Sequence, residues 1–291
     1  MDIQNLKAFI HVSECGSFSR AAEKLFITQP AVSKRISSLE QELGEALFDR
    51  IGKGAQLTAA GVILIPGAQR ILAELEESKR LINNLNDKVC GTLSIGTSHH
   101  IGLHRLPPVL RAFTTAYPDV DLDIHFMDSE EACEAVLSGK LELAIATLPE
   151  KKMHNLYTEI IWPDPICLVV STDHPLANQQ NISREQLLEY AAILPSQQTF
   201  TRALMEKTLK LQHSHLKVTM ESNYIETIKM MVSIGLGWSA IPTSMLDEEL
   251  QQLKIRGIAM QRQLGLAYRE KKTQSPAARI FCQYIKNNPH K

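Results

Sequence analysis

The chain has 291 residues, 44% of them apolar and 22% charged, too long for one compact core and suited to two or three. Its 31 Lys and Arg balance 32 Asp and Glu, so overall charge excludes a strongly basic nucleic-acid binder; any such contact must come from locally placed cations or from paired copies of a small patch. No apolar run approaches the roughly eighteen residues of a spanning helix, Met1–Lys7 lacks the apolar stretch of a secretory signal, and the dispersed Cys15, Cys90, Cys133, Cys167 and Cys282 read as a reduced cytoplasmic thiol set.

From Ile3 to Glu14 the residues Leu6, Phe9, Ile10 and Val12 fall largely on one helical face, and Gly16 is placed to stop the helix. Ser17–Leu25 forms a second helical segment, with Ser17 or Ser19 as cap and Ala21-Ala22 allowing close approach of a neighbour. After the break Phe26-Ile27-Thr28, a third helix opens with Thr28 as N-cap and Pro30 in the first turn, where no hydrogen bond is lost. In it Val32, Ile36, Leu39 and Leu43 point inward, which leaves Gln29, Ser33 and Lys34 outside.

Two short helices, a tight turn and a polar start to the second helix match helix-turn-helix geometry, in which those first residues enter the major groove. The DNA-facing set is then Thr28, Gln29, Pro30 and Ser33 at the groove, with Lys34 and Arg35 able to neutralise phosphates. Leu47–Thr58 reads as a hairpin around Gly52-Lys53-Gly54, a wing whose Arg50 and Lys53 lie along the backbone or minor groove.

These residues carry a resemblance. Leu6-x-x-Phe9, Gly16-Ser17-Phe18-Ser19-x-Ala21-Ala22, Thr28-Gln29-Pro30-Ala31-Val32-Ser33, Leu39-Glu40, Leu43-Gly44, Leu47-Phe48-x-Arg50 and Leu57-Thr58-x-Ala60-Gly61 resemble the signature of LysR-type transcriptional regulators. The resemblance implies that the second helix of the motif reads the major groove through Gln29, Pro30, Ser33 and Lys34, with Arg50 and Lys53 on the backbone. Relatives often carry Arg at position 34; Lys34 keeps the charge but lacks the bidentate fork that a guanine contact uses.

Thr58 can cap a long helix over about Ala59 to Asp87. Apolar residues at 68, 71, 75, 82, 85 and 89, with Ser78 as the polar member, give a narrow a/d seam that suits a helix-helix dimer. Pro66 predicts a bend or a lost hydrogen bond near its start. The resemblance agrees, since linker helices of the family pair, and it further implies tetramers bridging inverted-repeat half-sites.

Beyond Thr92 strands and helices alternate: strands Thr92–Thr97, Asp121–Phe126, Leu143–Thr147, Ile166–Ser171, Ala192–Leu194, Leu216–Glu221, Trp238–Ile241 and Leu264–Tyr268. Helices fall at Leu106–Tyr117, Ser129–Leu137, Ser183–Glu189, Arg202–Leu211, Tyr224–Ile234 and Ala277–Lys286. Alternation of this kind predicts parallel sheets covered by helices. It resembles the two-subdomain, periplasmic-binding-protein-like effector domain of LysR-type regulators. The expected fold class is α/β overall. It comprises an all-α winged helix-turn-helix over 1–58, a linker helix over 59–89 and an effector-binding domain over 90–291. Subdomain one covers about 90–161 and 267–291, and subdomain two about 162–266.

Ligands in open α/β sheets sit beyond the carboxyl ends of strands, close to helix starts. That rule selects Thr97, Ser98 and His99, then Thr147, then Ser196, Gln197, Thr199 and Arg202, then Asn223, segments with hydroxyls, amides and few acids. A small anionic metabolite fits them, with Arg202 or His99 as countercharge. No cofactor is expected. His100 and His104 stand at i, i+4, a chelating spacing on a helix, but no nearby carboxylate or Cys completes the set; Asp128 or His125 are the residues able to approach, and no metal is expected. Gly235-Leu236-Gly237 follows a helix and lacks the lysine of a phosphate loop, so it reads as a helix-to-strand turn.

The expected function is thus a cytoplasmic, ligand-responsive DNA-binding regulator with double-stranded DNA, an effector and further copies of itself as partners. It has no membrane association and no catalytic role. Two alternatives stay open: a thiol-based redox sensor of the same fold, and a solute-binding protein carrying a helical head.

Overall fold

The computed structural model describes residues 1–51, 54–83, 89–180, 182–210 and 216–288, and among these the side chains of all but 50–51, 76–77 and 79–83. The chain divides into two compact units, Met1–Asn86 with Ser138–Lys140, and Asp87–Leu137 with Leu141–Lys291.

The first unit holds α1 (Ile3–Cys15), α2 (Phe18–Lys24), α3 (Gln29–Leu43), the hairpin β1 (Phe48–Ile51) and β2 (Gly54–Leu57), and α4 (Ala59–Asn83). Helices α1 and α2 start where their own sequence provides a partner. The Asp2 carboxylate accepts Gln4 N at 2.7 Å, and the Ser17 side chain accepts Arg20 N. Gly16 ends α1 at φ 58°, a left-handed conformation that glycine adopts without a Cβ penalty. Leu6, Phe9, Val12, Ala21, Val32, Ile36 and Leu39 are essentially excluded from solvent and form one core. Leu43, expected to continue that stripe, is 39% exposed, because the last turn of α3 runs past the buried Val32-Ile36-Leu39 face toward its Gly44 cap.

Thr58 Oγ1 accepts Gly61 N at 3.1 Å and starts α4, which continues as a helix through Pro66. The expected dimer seam needs correction at both ends. Ala68 is fully buried in the core of its own unit, beside Leu64, Ile65 and Leu72, and Val89 packs against the core of the second unit. Of the remaining positions Ile71 is 41% exposed and Ser78 donates to Glu74 O. The side chain of Ile82 and all of Leu85 lie outside the described residues, as does the expected helix end at Asp87.

The second unit runs β3 (Gly91–Thr97), α5 (His99–His104), α6 (Leu106–Ala116), β4 (Val120–Phe126), α7 (Ser129–Ser138), β5 (Leu143–Thr147) and β6 (Leu156–Ser171). It continues through α8 (Arg184–Leu188), β7 (Ala192–Leu194), α9 (Phe200–Leu209), β8 (Val218–Glu221), α10 (Ile225–Ser233), β9 (Ser239–Pro242), β10 (Leu250–Leu253), β11 (Met260–Arg269) and α11 (Pro276–Asn287). The main sheet has the order β10-β6-β11-β5-β3-β4, with β9 also on β6, and β7 pairs β8 apart from it.

The expectation of parallel sheets holds only for β3 with β4 and β5 and for β7 with β8. Strands β6 and β11 run antiparallel to each other from Met260↔Ile166 to Arg269↔Leu156, and β5, β9 and β10 join them antiparallel. The physical reason is that β6 and β11 are long crossing strands rather than steps of a βαβ repeat. Along β6, Leu156 belongs to the core built on α7 and β5 and Trp162 to that built on β3, β5, α6 and α11, whereas Ile166 to Val170 belong to those built on β7, β9, α9 and α10. The reading that began β6 at Ile166 missed its first half, where Pro163 and Pro165 interrupt the strand signal.

The turn from α10 into β9 explains the Gly-Leu-Gly sequence. A Cβ on Gly237 would lie 2.3 Å from Ala191 O, so only glycine fits where the turn crosses that backbone.

Candidate nucleic-acid interface and effector cleft

The N-terminal turn of α3 turns its polar side outward. Thr28 occupies the N-cap position in extended conformation but makes no side-chain cap bond, and Thr28, Gln29, Pro30 and Lys34 are exposed, with Ser33 and Arg35 half-buried. Gln29 Nε2 donates to Ser33 Oγ at 2.9 Å, which fixes one end of the amide. Opposite this face, Val32, Ile36 and Leu39 hold the helix on the core, so the outward face is set by packing.

The hairpin is fastened to the same helix. Glu40 Oε1 accepts Leu47 N at 2.8 Å and Phe48 N at 3.3 Å, and the Phe48 ring lies 5.4 Å from Phe9 and 5.8 Å from Phe18. β1 and β2 pair antiparallel from Phe48↔Leu57 to Ile51↔Gly54. Arg50 lies in β1, but its side chain and the whole of Lys53 are outside the described residues.

Sequence reasoning missed Phe26. Its side chain is 95% exposed and its φ is 54°, an uncommon conformation for a residue with a Cβ. It stands in the turn immediately before α3, an apolar ring of the kind that meets a thymine methyl. The only signal was an aromatic between the half-buried Leu25 and Ile27.

In the second unit the expected effector residues divide into two sets. Ser196, Thr199, Arg202 and Asn223 come together: Asn223 Oδ1 accepts Ser196 N at 2.9 Å, and Thr199 Oγ1 donates to Ser196 O at 2.9 Å and accepts Arg202 N at 3.2 Å. His99 sits between Phe126 and Tyr224, with ring centroids at 5.3 and 4.7 Å. Thr97 and Thr147 are buried; Thr97 Oγ1 donates to Ile145 O at 2.9 Å, and Thr147 N to Ser129 Oγ at 3.0 Å. Ser98 is the N-cap of α5 without a side-chain bond, and Gln197 is exposed.

Two features differ from expectation. The Arg202 guanidinium is 1% exposed and engaged inside the fold, with Nε 2.7 Å from Glu206 Oε1 and Nη1 2.9 Å from Pro195 O. Nη1 also lies 3.5 Å from Glu221 Oε1, so Arg202 knits α9 to the strands behind it. The expectation of few acids also fails, because acids arrive from a neighbouring helix start. Asn223 Nδ2 donates to Asp128 Oδ2 at 2.6 Å, and the Glu130 carboxylate accepts Phe200 N, the first amide of α9. Burial pushes Glu130 above the usual carboxylate range, with the Phe200 N–H pulling the other way.

The buried cation that sequence reasoning missed is Arg262. Its Nε donates to Asp164 Oδ2 at 2.6 Å and its Nη1 to Thr201 Oγ1 at 3.3 Å; the residue is 6% exposed, and its Nη2 has no hydrogen-bond partner among the described residues. Asp164 is also 3.7 Å from Arg105 Nη2, so two guanidinium groups share one carboxylate. An unfilled buried donor on a charged group costs more than about 1–3 kcal/mol, a cost that a bound acceptor would relieve.

The histidines give a further correction. Glu226, distant in sequence, completes the set: its Oε1 lies 3.1 Å from His104 Nε2 and 3.5 Å from His100 Nδ1, and the two rings are 4.8 Å apart. His100 is buried, and neither ring nitrogen makes a hydrogen bond. Burial and the nearby Arg262 charge push it down to about 4.

Among the cysteines, burial pushes the Cys133 and Cys282 thiols up to about 12 and raises Cys167 as well, which is the opposite of an activated thiolate.

Residues 3–62 match the model of the bacterial regulatory helix-turn-helix protein, lysR family, and residues 86–289 match the LysR substrate binding domain. The chain belongs to the LysR family. It is a transcriptional regulator with an N-terminal DNA-binding helix-turn-helix and a C-terminal effector-binding domain. A protein of Trichormus variabilis named "Probable RuBisCO transcriptional regulator" is 34% identical over 280 residues, covering 93% of this chain and 83% of that protein. A full-length OxyR variant from Pseudomonas aeruginosa is 23% identical with a TM-score of 0.68, covering 98% of each chain. Full-length CbnR, solved with its target DNA, is 22% identical with a TM-score of 0.65, covering 99% of each. Both likenesses show the fold. Members of the family act as oligomers on DNA, and no described helix of this LysR regulator is long and apolar enough to cross a membrane.

Proposed function

We propose that this regulator reads promoter DNA through Thr28, Gln29, Pro30 and Ser33 at the base edges. Lys34, Arg35, Arg50 and Lys53 lie on phosphates, and paired or fourfold copies meet inverted-repeat half-sites. A small anionic metabolite controls that binding or the bend of the DNA from a cleft between subdomains of about 90–161 with 267–291 and about 162–266. The protein works in the cytoplasm and has no catalytic role.

One observation carries the effector half: Arg262 holds a buried Nη2 that has no hydrogen-bond partner among the described residues, and it shares Asp164 with Arg105. The raised thiols give the redox alternative no comparable support.

The test has two arms. In gel shifts on the DNA upstream of its own gene, Gln29→Ala and Ser33→Ala should relax discrimination between bases, a bidentate amide contact being worth about 1–3 kcal/mol. The relatives' name makes a RuBisCO promoter the first foreign DNA to add. Unchanged specificity in both variants would remove α3 from the reading. In thermal melts, the matching carboxylate or amino acid at a hundred times its dissociation constant should stabilise the wild type by about 2.7 kcal/mol. Arg262→Lys, which keeps the charge and loses the fork, should reduce that response; a full response in the variant would sink the Arg262 assignment.

A further inference from the structure

Among the described residues, one trio of ligating side chains is placed to hold a metal ion: His100 and His104 on α5 and Glu226 in the first turn of α10. Their ligand atoms all lie within 4.8 Å of one another. Around a tetrahedral ion with bonds of about 2.0–2.1 Å, neighbouring ligand atoms stand roughly 3.3 Å apart. The two contacts to Glu226, at 3.1 and 3.5 Å, already match that edge, and only the His100–His104 edge has to shorten.

A second observation points the same way. His100 is buried, and among the described residues neither ring nitrogen has a hydrogen bond, whereas buried polar groups are ordinarily satisfied. An ordinary His-Glu hydrogen bond explains His104 and Glu226 but leaves His100 without a purpose. A cation between the three gives the buried ring a bond and sets the Glu226 carboxylate against a full positive charge. Access is open from one side, since the side chains of His104 and Glu226 are 48% and 35% exposed.

We propose that His100, His104 and Glu226 bind one divalent transition-metal ion of the Zn²⁺ type. Two imidazoles and a carboxylate are borderline ligands that suit Zn²⁺, Co²⁺ or Ni²⁺ over Mg²⁺ or Ca²⁺. Three protein ligands leave at least one position for water or an oxygen of a small ligand. The ion would also join two cores, because Ile101 of α5 packs in one cluster and Ile225, Ile228 and Val232 of α10 in another. The site does not depend on whether the cleft takes an anion.

The experiment uses the full chain without a histidine tag, dialysed against Zn²⁺ alone and against Co²⁺ alone. The wild type should hold one ion per chain, show the visible absorption of four- or five-coordinate Co²⁺, and melt higher with Zn²⁺ present. His104→Ala and Glu226→Gln, both at partly exposed positions, should bind at least tenfold more weakly and lose the Zn²⁺-dependent rise in melting temperature while melting normally without metal. Failure of the wild type to bind either ion at micromolar concentration would overturn the proposal. So would wild-type affinity in both variants, which would place the ion on other histidines. Zinc binding read this way stands or falls separately from any effect of carboxylates on DNA binding.

Discussion

At the recognition helix, polar side chains are held by near neighbours. Gln29 is tied to Ser33 four residues on, and Glu40 to the backbone of Leu47 seven residues on. In the effector unit the anchors join distant stretches: 95 residues separate Asn223 from Asp128, 98 separate Arg262 from Asp164, and 122 separate His104 from Glu226. The first site is a local surface displayed by a small core. The second is a set of charges that exists only once β6, β11 and α10 are in place. A surface built locally can be presented intact, while a set of charges built from remote partners responds to any ligand or proton that shifts one of them.

The strongest way to break this contrast is to damage one unit and watch the other. Ile36 is fully buried between the helices of the first unit, so Ile36→Ala should cost about 2–5 kcal/mol there. That is a large share of what a unit of this size holds. In chemical denaturation the transition of the first unit should fall and DNA binding should weaken with it. The transition of the second unit should move by no more than about 0.5 kcal/mol. A matched fall in both transitions would mean that the two units are not energetically separate.

The same contrast explains what could be read from sequence. Val32, Ile36 and Leu39 recur at helical spacing and Gly16 stops α1, so the first unit was legible almost residue by residue. Leu43 and Ala68 were misplaced because periodicity gives a face but not how far the neighbouring helix reaches along it. In the second unit most helices and short strands were legible, short α5 and β10 excepted, but the antiparallel β6–β11 pair was not, since nothing local marks a strand as crossing between cores. For the same reason nothing local marks Arg262 or pairs Glu226 with the histidines, and Glu206 and Glu221 claim Arg202 only in three dimensions.

A smaller effect sharpens the DNA-facing side. Lys34 is exposed on α3, and if it lies on a phosphate, Lys34→Ala should weaken binding by a similar factor on every sequence. It should also reduce the slope of log affinity against log salt by about 0.9 per half-site. Salt titration of gel shifts checks this. An unchanged slope with altered base preference would move Lys34 from the backbone to a base edge.

The smallest effect concerns the proton on Glu130, and it belongs to the remote-partner side. Burial holds its pKa above the ordinary carboxylate value of about 4.3, so the folded unit keeps the proton to higher pH than the unfolded chain does. Stability contributed by that proton is complete below the unfolded pKa and is lost as pH rises through the raised folded value. Glu130→Gln carries no titrating group, so its stability relative to wild type should increase from the acid side of this window to neutral pH. Urea midpoints of the second unit, followed upward from about pH 4.3, measure the difference. A variant that instead loses ground as pH rises would show that the bond from Phe200 N to the charged carboxylate outweighs burial. On the effector site proposed above, the stability gained by neutralising this carboxylate and any gain in carboxylate affinity would report the same electrostatic cost from two sides.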